Sequence, residues 1–348
     1  MIKPSHITQN LVNSFCADRG KDPLFVQGAG GNVSWKEDDV LWIKASGTWL
    51  ARAEHEEIFI PVDLAHVRTE MAKGNFAVSP RVIGDSILRP SIETLMHALM
   101  PQTYVVHLHA VEILSHLVQE EGVAAINALP EQTGPWCVID YFKPGAELAE
   151  AIHAELKALP STKVLYLKNH GVVIGGDNLE EINNVLDTVT RALAIIPAAK
   201  GEVMDPLSLS SAGERGAYVP LDDNEIHQLA SDPDYCRWLS SAWALYPDHV
   251  VFLGPKAPFF SSWNSLHAHL ACNETPPELV FIAGQGAFVL PSFSEAKRLQ
   301  LRCYYDVIVR QTPTTRLATL NDAQIGELLN WDAEQYRMNI SVTPLATK

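Results

Sequence analysis

Apolar residues follow two rhythms in the first part of the chain, a period of two in short runs and helical spacing in longer ones, which is the pattern of an α/β fold. Val33-Ser-Trp35 and Val40-Leu-Trp-Ile43 flank the polar turn Lys36-Glu-Asp-Asp39 and predict a hairpin. Further strands are predicted at Glu57–Val62, Tyr104–His109, Trp136–Tyr141, Lys163–Lys168 and Val172–Ile174. Helices are predicted over residues 5–19 (through Ile7, Leu11 and Phe15), after an N-cap at Ser91, over 113–118, after Pro144-Gly145 (through Leu148, Ile152 and Leu156), and over 177–193. A first unit closes near Pro206. Beyond it, Pro247–Leu253 and Leu279–Leu290 read as buried strands and are followed by helices at about 294–311 and 321–338. The pattern therefore divides the chain into a domain at 1–205 and a smaller α/β extension at 206–348.

The densest chemistry lies in Arg89-Pro-Ser-Ile-Glu-Thr-Leu-Met-His-Ala-Leu-Met-Pro-Gln-Thr-Tyr-Val-Val-His-Leu-His-Ala110. On a strand His107 and His109 share a face with Val105, while Tyr104, Val106 and Leu108 take the other. Two imidazoles on one strand face are how a strand offers two ligands to a metal. Glu93 in the first helical turn, taken alone, reads as a partner of the helix dipole. Asn169-His-Gly171, in a tight connection between two strands, holds His170 at a strand end with Gly171 available for a positive φ, and His170 is a candidate third ligand. The loops Gly28-Ala-Gly-Gly-Asn32 and Lys44-Ala-Ser-Gly-Thr48 bring Asn32, Ser46 and Gly47 to neighbouring strand ends. There they present short polar groups to an anion, or simply make turns. They are not a dinucleotide fingerprint, since the spacing differs and the glycines lead into a strand. A second pair, His267-Ala-His269, lacks strand alternation and reads as structural, with a weaker metal reading through Cys272. Gly284-Gln-Gly286 is too short a pattern for a nucleotide site.

Composition narrows the field. The chain has 348 residues, 47% hydrophobic and 19% charged, values of a globular protein. No apolar run approaches the roughly 20 residues of a membrane span. The formal charge of −15 argues against a nucleic-acid partner, although local donors can still hold a small anion. Five scattered cysteines without a C-x-x-C spacing argue against a disulfide framework and a thiolate zinc site. Together with an N-terminus that lacks a signal-peptide pattern, this predicts the cytoplasm.

The ordered series Gly31-Asn32, Ser46-Gly47, Ser91-x-Glu93, His107-x-His109 and Asn169-His-Gly171 resembles the class II aldolase/adducin family. Arg89-Pro-Ser-Ile-Glu-Thr94, Lys143-Pro-Gly-Ala-Glu147 and Asn330-Trp-Asp-Ala-Glu-Gln-Tyr336 are most similar to the aldolase half of bifunctional rhamnulose-phosphate aldolase/alcohol dehydrogenase proteins. The likeness is strong over residues 10–200 and looser beyond, and the dehydrogenase half has no counterpart. It implies a three-layer α/β/α domain around a central, largely antiparallel sheet. It also implies a zinc ion on His107, His109 and His170, replaceable by manganese or cobalt, with Glu93 as catalytic acid/base. Asn32, Ser46, Gly47 and Ser91 match the family's phosphate-binding positions. The implied reaction is aldol cleavage of a ketose, ketose phosphate or sugar acid through an enediolate, in a homo-oligomer that is often a tetramer. Sugar-phosphate 4-epimerases, a dehydratase and a non-catalytic adducin-like module are the alternatives on the same scaffold. Ile92 departs from the two serines of simpler sugar-phosphate aldolases, which leaves phosphorylation of the substrate open; Lys44 and Arg89 are candidate substitutes.

Overall fold

The computed structural model describes residues 3–197, 211–272 and 275–341, and the boundary expected at 205/206 lies outside them. A seven-stranded sheet forms the first part. Its strands are β1 (Asn32–Glu37), β2 (Val40–Lys44), β3 (Phe59–Asp63), β4 (Tyr104–Leu108), β5 (Trp136–Ile139), β6 (Val164–Leu167) and β7 (Gly171–Gly176), in the order β3-β2-β1-β4-β7-β6-β5. Neighbours run antiparallel except β5 and β6, which are parallel because the helix Ala146–Ala158 crosses between them.

Alternation along the strands decides what covers each face. Val33, Trp35, Val106, Leu108, Val172 and Ile174 pack under the helices His6–Gly20, Val111–Leu117 and Leu179–Ala192. Val105, Leu165, Leu167 and Val173 face the helices Thr94–Leu99 and Ala146–Ala158, with Met96, Leu148 and Ile152 between. Two covered faces make three layers, as expected. Central strands buried on both sides carry the burden of the core, at roughly 1.5–3 kcal/mol for each large side chain removed from water.

Four local expectations need correction. In the first helix Val12, Phe15 and Cys16 are buried, but Ile7 and Leu11 are 75% and 58% exposed, so the inward stripe is displaced from the one expected. The helix after Ser91 begins later, at Thr94. Ser91 makes a turn in which its Oγ accepts from the Glu93 N–H, and Glu93 itself occupies the N-cap position. Pro247–Leu253 is a helix, not a strand: Pro247 stands at its first turn, where the missing N–H costs nothing, and Gly254 with φ of 87° ends it. The last helical stretch is broken, into Asp322–Leu329 and Asp332–Ser341.

The extension holds a second sheet of β8 (Val219–Pro220), β9 (Phe259–Phe260), β10 (Leu279–Ile282) and β11 (Gly286–Val289), in the order β8-β11-β10-β9. Gly284-Gln-Gly286 makes the hairpin turn into β11. Its core is continuous with the first domain: Val111, Leu114 and Val118 pack in one cluster with Trp238, Trp243 and Tyr304. A buried Glu112–Arg310 ion pair of 2.7 Å crosses the same seam. No helix among the described residues is long and apolar enough to cross a membrane.

Candidate metal and acid/base site

The central strand β4 sets the site. Its neighbours place Asn32 opposite His107 on one side and Val173 opposite His107 on the other. His109 follows the strand end, and His170 stands in the β6–β7 turn. One ring nitrogen from each of His107, His109 and His170 lies within 4.8 Å of the others, and all three rings are buried. The Nε2 atoms of His107 and His109 are 3.1 Å apart.

The β6–β7 turn is built for this approach, though not in the way the sequence suggested. The positive φ belongs to Asn169, at 54°, and not to Gly171. The Asn169 amide donates to the carbonyls of Leu245 and Ala318, both at 2.8 Å, which ties the loop of His170 to the extension. Gly171 is required by close packing, since a Cβ there would fall 2.4 Å from the Leu108 carbonyl oxygen and against both His107 and His109 rings.

Glu93 sits between two of the histidines, with Oε2 3.5 Å from His107 Nε2 and Oε1 3.4 Å from His170 Nε2. A relay holds it there. Ser34 Oγ bonds His97 Nδ1 at 2.7 Å, His97 Nε2 bonds Asn32 Oδ1, and Asn32 Nδ2 donates to Glu93 Oε2 at 2.7 Å. A carboxylate only accepts, so the Asn32 amide must turn its NH2 to Glu93 and its oxygen to the imidazole N–H of His97. Burial would push the Glu93 carboxyl up, but the His107 and His170 imidazoles and the Asn32 amide outweigh it and hold it at about 2. Burial pulls His107 down to about 4 and His170 to about 3, against the opposing pull of Glu93. His107 and His170 are thus neutral at physiological pH and Glu93 is ionised. Three convergent, buried imidazoles beside one carboxylate fit a divalent transition metal in donor type and number.

The positions expected to hold phosphate converge on this pocket. Asn32, Ser46, Gly47 and Ser91 all line it. Several of their donors are turned inward, however. The Ser46 N–H donates to the Arg89 carbonyl at 2.9 Å and the Ser91 N–H to the Lys44 carbonyl at 3.2 Å. Asn32 Nδ2 is shared between Glu93 and Ser91 Oγ. Gly47 lies beneath Ile340 and the Arg337 carbonyl of the last helix. Of the two candidate substitutes for the missing serine, Lys44 lines the pocket and Arg89 stacks on the Tyr336 ring at 4.5 Å. Burial, reinforced by Arg337, brings Lys44 down to about 7, and its Nζ donates to the Ala29 carbonyl at 3.0 Å.

Sequence reasoning missed the wall that the extension builds. Asp248, Glu334 and Arg337 line the pocket as well. Asp248 Oδ2 is 3.3 Å from His109 Nδ1. Arg337 grips Asp248 with two nitrogens at 2.5 and 2.6 Å and reaches Glu334 Oε2 at 3.3 Å. Burial would raise Asp248, but the Arg337 guanidinium and His109 hold it well below the usual carboxylate range, whereas burial keeps Glu334 raised. A signal existed: Asp248 is the lone acid in the apolar run 247–253, and Glu334 lies inside the tail motif Asn330–Tyr336. The other His-x-His pair gives no site, because His267, His269 and Cys272 form no metal-ligand group among the described residues.

Comparison with known proteins agrees with the fold. A model of the Class II Aldolase and Adducin N-terminal domain matches residues 18–196. The "Uncharacterized oxidoreductase YuxG" of Bacillus subtilis (strain 168) is 25% identical over 226 residues, which cover 60% of this chain and 32% of that protein, so the chain spans about a third of that relative. A "Probable methylthioribulose-1-phosphate dehydratase" of Drosophila erecta is 21% identical over 221 residues, covering 60% of this chain and 96% of the relative. Among solved structures, the N-terminal class II aldolase domain of a conserved protein from Thermoplasma acidophilum aligns with 55% of this chain and 95% of its own, at 25% identity and a TM-score of 0.44. That superposition is too loose to carry an argument about chemistry.

Proposed function

The chain belongs to the class II aldolase and adducin N-terminal domain family, and from that premise we propose that it is a metal-dependent carbon–carbon lyase acting on a small ketose, ketose phosphate or related sugar acid. The observation that carries the reading is the Glu93 carboxylate seated between His107 and His170 in a buried pocket. His107, His109 and His170 hold the metal, and zinc suits three neutral imidazoles, with manganese or cobalt as substitutes. A bound divalent ion supplies Lewis-acid stabilisation of negative charge on a substrate carbonyl oxygen. The remaining work falls to the chain's own groups. Glu93, ionised and oriented through Asn32, moves the proton at the substrate carbon beside the carbonyl. Asn32, Ser46, Gly47 and Ser91 bind and orient the substrate, with the Lys44 side chain lining the same pocket. The active form is a homo-oligomer on this reading.

The test pairs metal analysis with turnover. Wild type and Glu93→Gln are measured for bound metal and for cleavage of a panel of sugar phosphates, free ketoses and sugar acids. Glu93→Gln is expected to keep its metal and lose about 10²–10⁴-fold in turnover, the usual weight of an acid/base group. Undiminished cleavage in that variant would remove Glu93 from the mechanism. The likeness to a probable dehydratase along 96% of that relative favours a second reading, the elimination of water. The same panel separates the two, because cleavage gives two carbon fragments and dehydration keeps the carbon chain whole.

A further inference from the structure

We propose that Asp248, from the C-terminal extension, is the positioning residue of the metal site, fixing the tautomer and ring orientation of His109. The inference rests on the reading of His107, His109 and His170 as ligands, and it adds an outer layer that the first domain does not itself contain. A ligating histidine offers one ring nitrogen and needs an acceptor for the proton on the other. For His107 that acceptor is the Val172 carbonyl, 3.0 Å from Nδ1. For His109 the group facing Nδ1 is Asp248, whose Oδ2 lies 3.3 Å away in ion-pair contact, short of an aligned hydrogen bond. With the proton on Nδ1, the lone pair of His109 Nε2 is left facing His107 Nε2 at 3.1 Å, where a shared ion would sit. With the proton on Nε2 instead, an N–H would point into that space and close it.

The surroundings of Asp248 are arranged to keep it there. It lies in the first turn of the helix Pro247–Leu253 and is 3% exposed. Arg337 clamps it through both carboxylate oxygens, and Gln300 Nε2 donates to Oδ2 at 3.3 Å. A planar guanidinium gripping both oxygens fixes the plane of the carboxylate, which a lone lysine would not do. On the opposite side Gly30 keeps the contact open, since a Cβ there would fall 3.1 Å from His109 Nδ1 and 3.2 Å from Asp248 Oδ2. An acid clamped on one side, a ring on the other and a glycine between them form a built arrangement. The extension therefore does chemistry for the site as well as cover it.

The experiment uses the full chain. Zinc affinity is measured by competition with a chromophoric chelator for wild type, Asp248→Asn and the double variant Asp248→Leu/Arg337→Met, which removes both buried charges together so that neither is left unpaired. In parallel, long-range ¹⁵N–¹H spectra of the metal-free wild type report which nitrogen of His109 carries its proton, the signal being assigned by its loss in His109→Gln. The expected result is an Nδ1–H tautomer for His109 and a zinc affinity lowered about 10- to 100-fold in both Asp248 variants, the usual weight of such an outer partner. The visible spectrum of the cobalt-loaded protein should shift in both, which a purely structural role for Asp248 would not cause. An Nε2–H tautomer in the wild type overturns the inference whether or not the variants fold. So does unchanged zinc affinity in either folded variant. Failure of the wild type to bind zinc or cobalt at all overturns this inference and the ligand reading beneath it, which distinguishes the two failures.

Discussion

The chain carries two His-x-His motifs, and the folded protein treats them oppositely. His107-Leu108-His109 runs along and just past the central strand β4, where a period of two brings both rings to one side, buried and 4.9 Å apart between ring centres. His267-Ala-His269 lies in the helix Trp263–Cys272, where residues two apart are turned about 200° from each other. Both of these rings are exposed, and His269 rests against Phe260 at 5.3 Å. The same three-letter pattern is a buried, convergent pair in one period and a solvent-facing pair in the other. Burial sharpens the contrast, because an imidazole nitrogen buried without a partner costs about 1–3 kcal/mol.

The largest effect should come from breaking one motif and leaving the other. His109→Ala is expected to take the metal content from about one ion per chain to near zero, while His267→Ala leaves it unchanged. Elemental mass spectrometry of the two purified variants reads this directly. A ligand present at a thousand times its dissociation constant stabilises the native state by about 4 kcal/mol. Excess zinc should therefore raise the unfolding temperature of His267→Ala and of wild type but not of His109→Ala. Equal metal content in all three would mean that the strand pair is not a ligand pair.

The next effect concerns how the third histidine is held, for which the helical motif has no equivalent. Asn169 bonds two carbonyls of the extension and adopts a φ of 54°. Asn169→Ala loses both bonds and places a Cβ residue in the left-handed region, at a cost of about 2–4 kcal/mol. Asn169→Gly loses the same bonds but relieves the backbone. Denaturant midpoints of the pair divide the cost between amide and backbone. If Asn169→Gly is as stable as wild type, the tie to the extension contributes nothing and the loop is held by its own turn.

What the sequence made legible follows from range. The strands of the first domain and the shared face of His107 and His109 depend on alternation and on short turns, which are local, whereas joining Glu93 to the histidines rests on the family resemblance. Pro247–Leu253 was misread because seven apolar-rich residues fit a buried strand as well as a helix. The deciding signals were at its ends, proline at the start and glycine after the finish. Ile7 and Leu11 fit a helical stripe, yet only the neighbours of that helix determine which stripe turns inward. Asp248, Glu334 and Arg337 reach the site through packing of their helices against Ala29 and Trp49 of the first domain. No local spacing encodes such a meeting. The lone acid Asp248 in its apolar run and the tail motif around Glu334 were the hints available.

The smallest effect tests a third kind of histidine, buried but without a carboxylate. His249 is 0% exposed and is surrounded by Trp243, Tyr246 and Tyr304, with ring centres 4.3–5.4 Å away. Among the described residues neither of its nitrogens has a hydrogen-bond partner. Burial alone pulls it from 6.5 down to about 3. Between those values the unfolded chain holds one more proton than the native protein, so stability rises with pH across the window and is lost as pH falls from 6.5 toward 3. The slope from this one group is about 1.4 kcal/mol per pH unit. His249→Phe removes the titrating proton while keeping an aromatic ring in the cluster. Measured by urea unfolding with metal removed from both proteins, the variant should match wild type more closely at pH 7.5 than at pH 5. At pH 5 it should gain about 2 kcal/mol over wild type relative to their difference at pH 7.5. Parallel pH curves for wild type and His249→Phe would mean that the native protein protonates His249 in place, and the aromatic cage around it would then have to admit water.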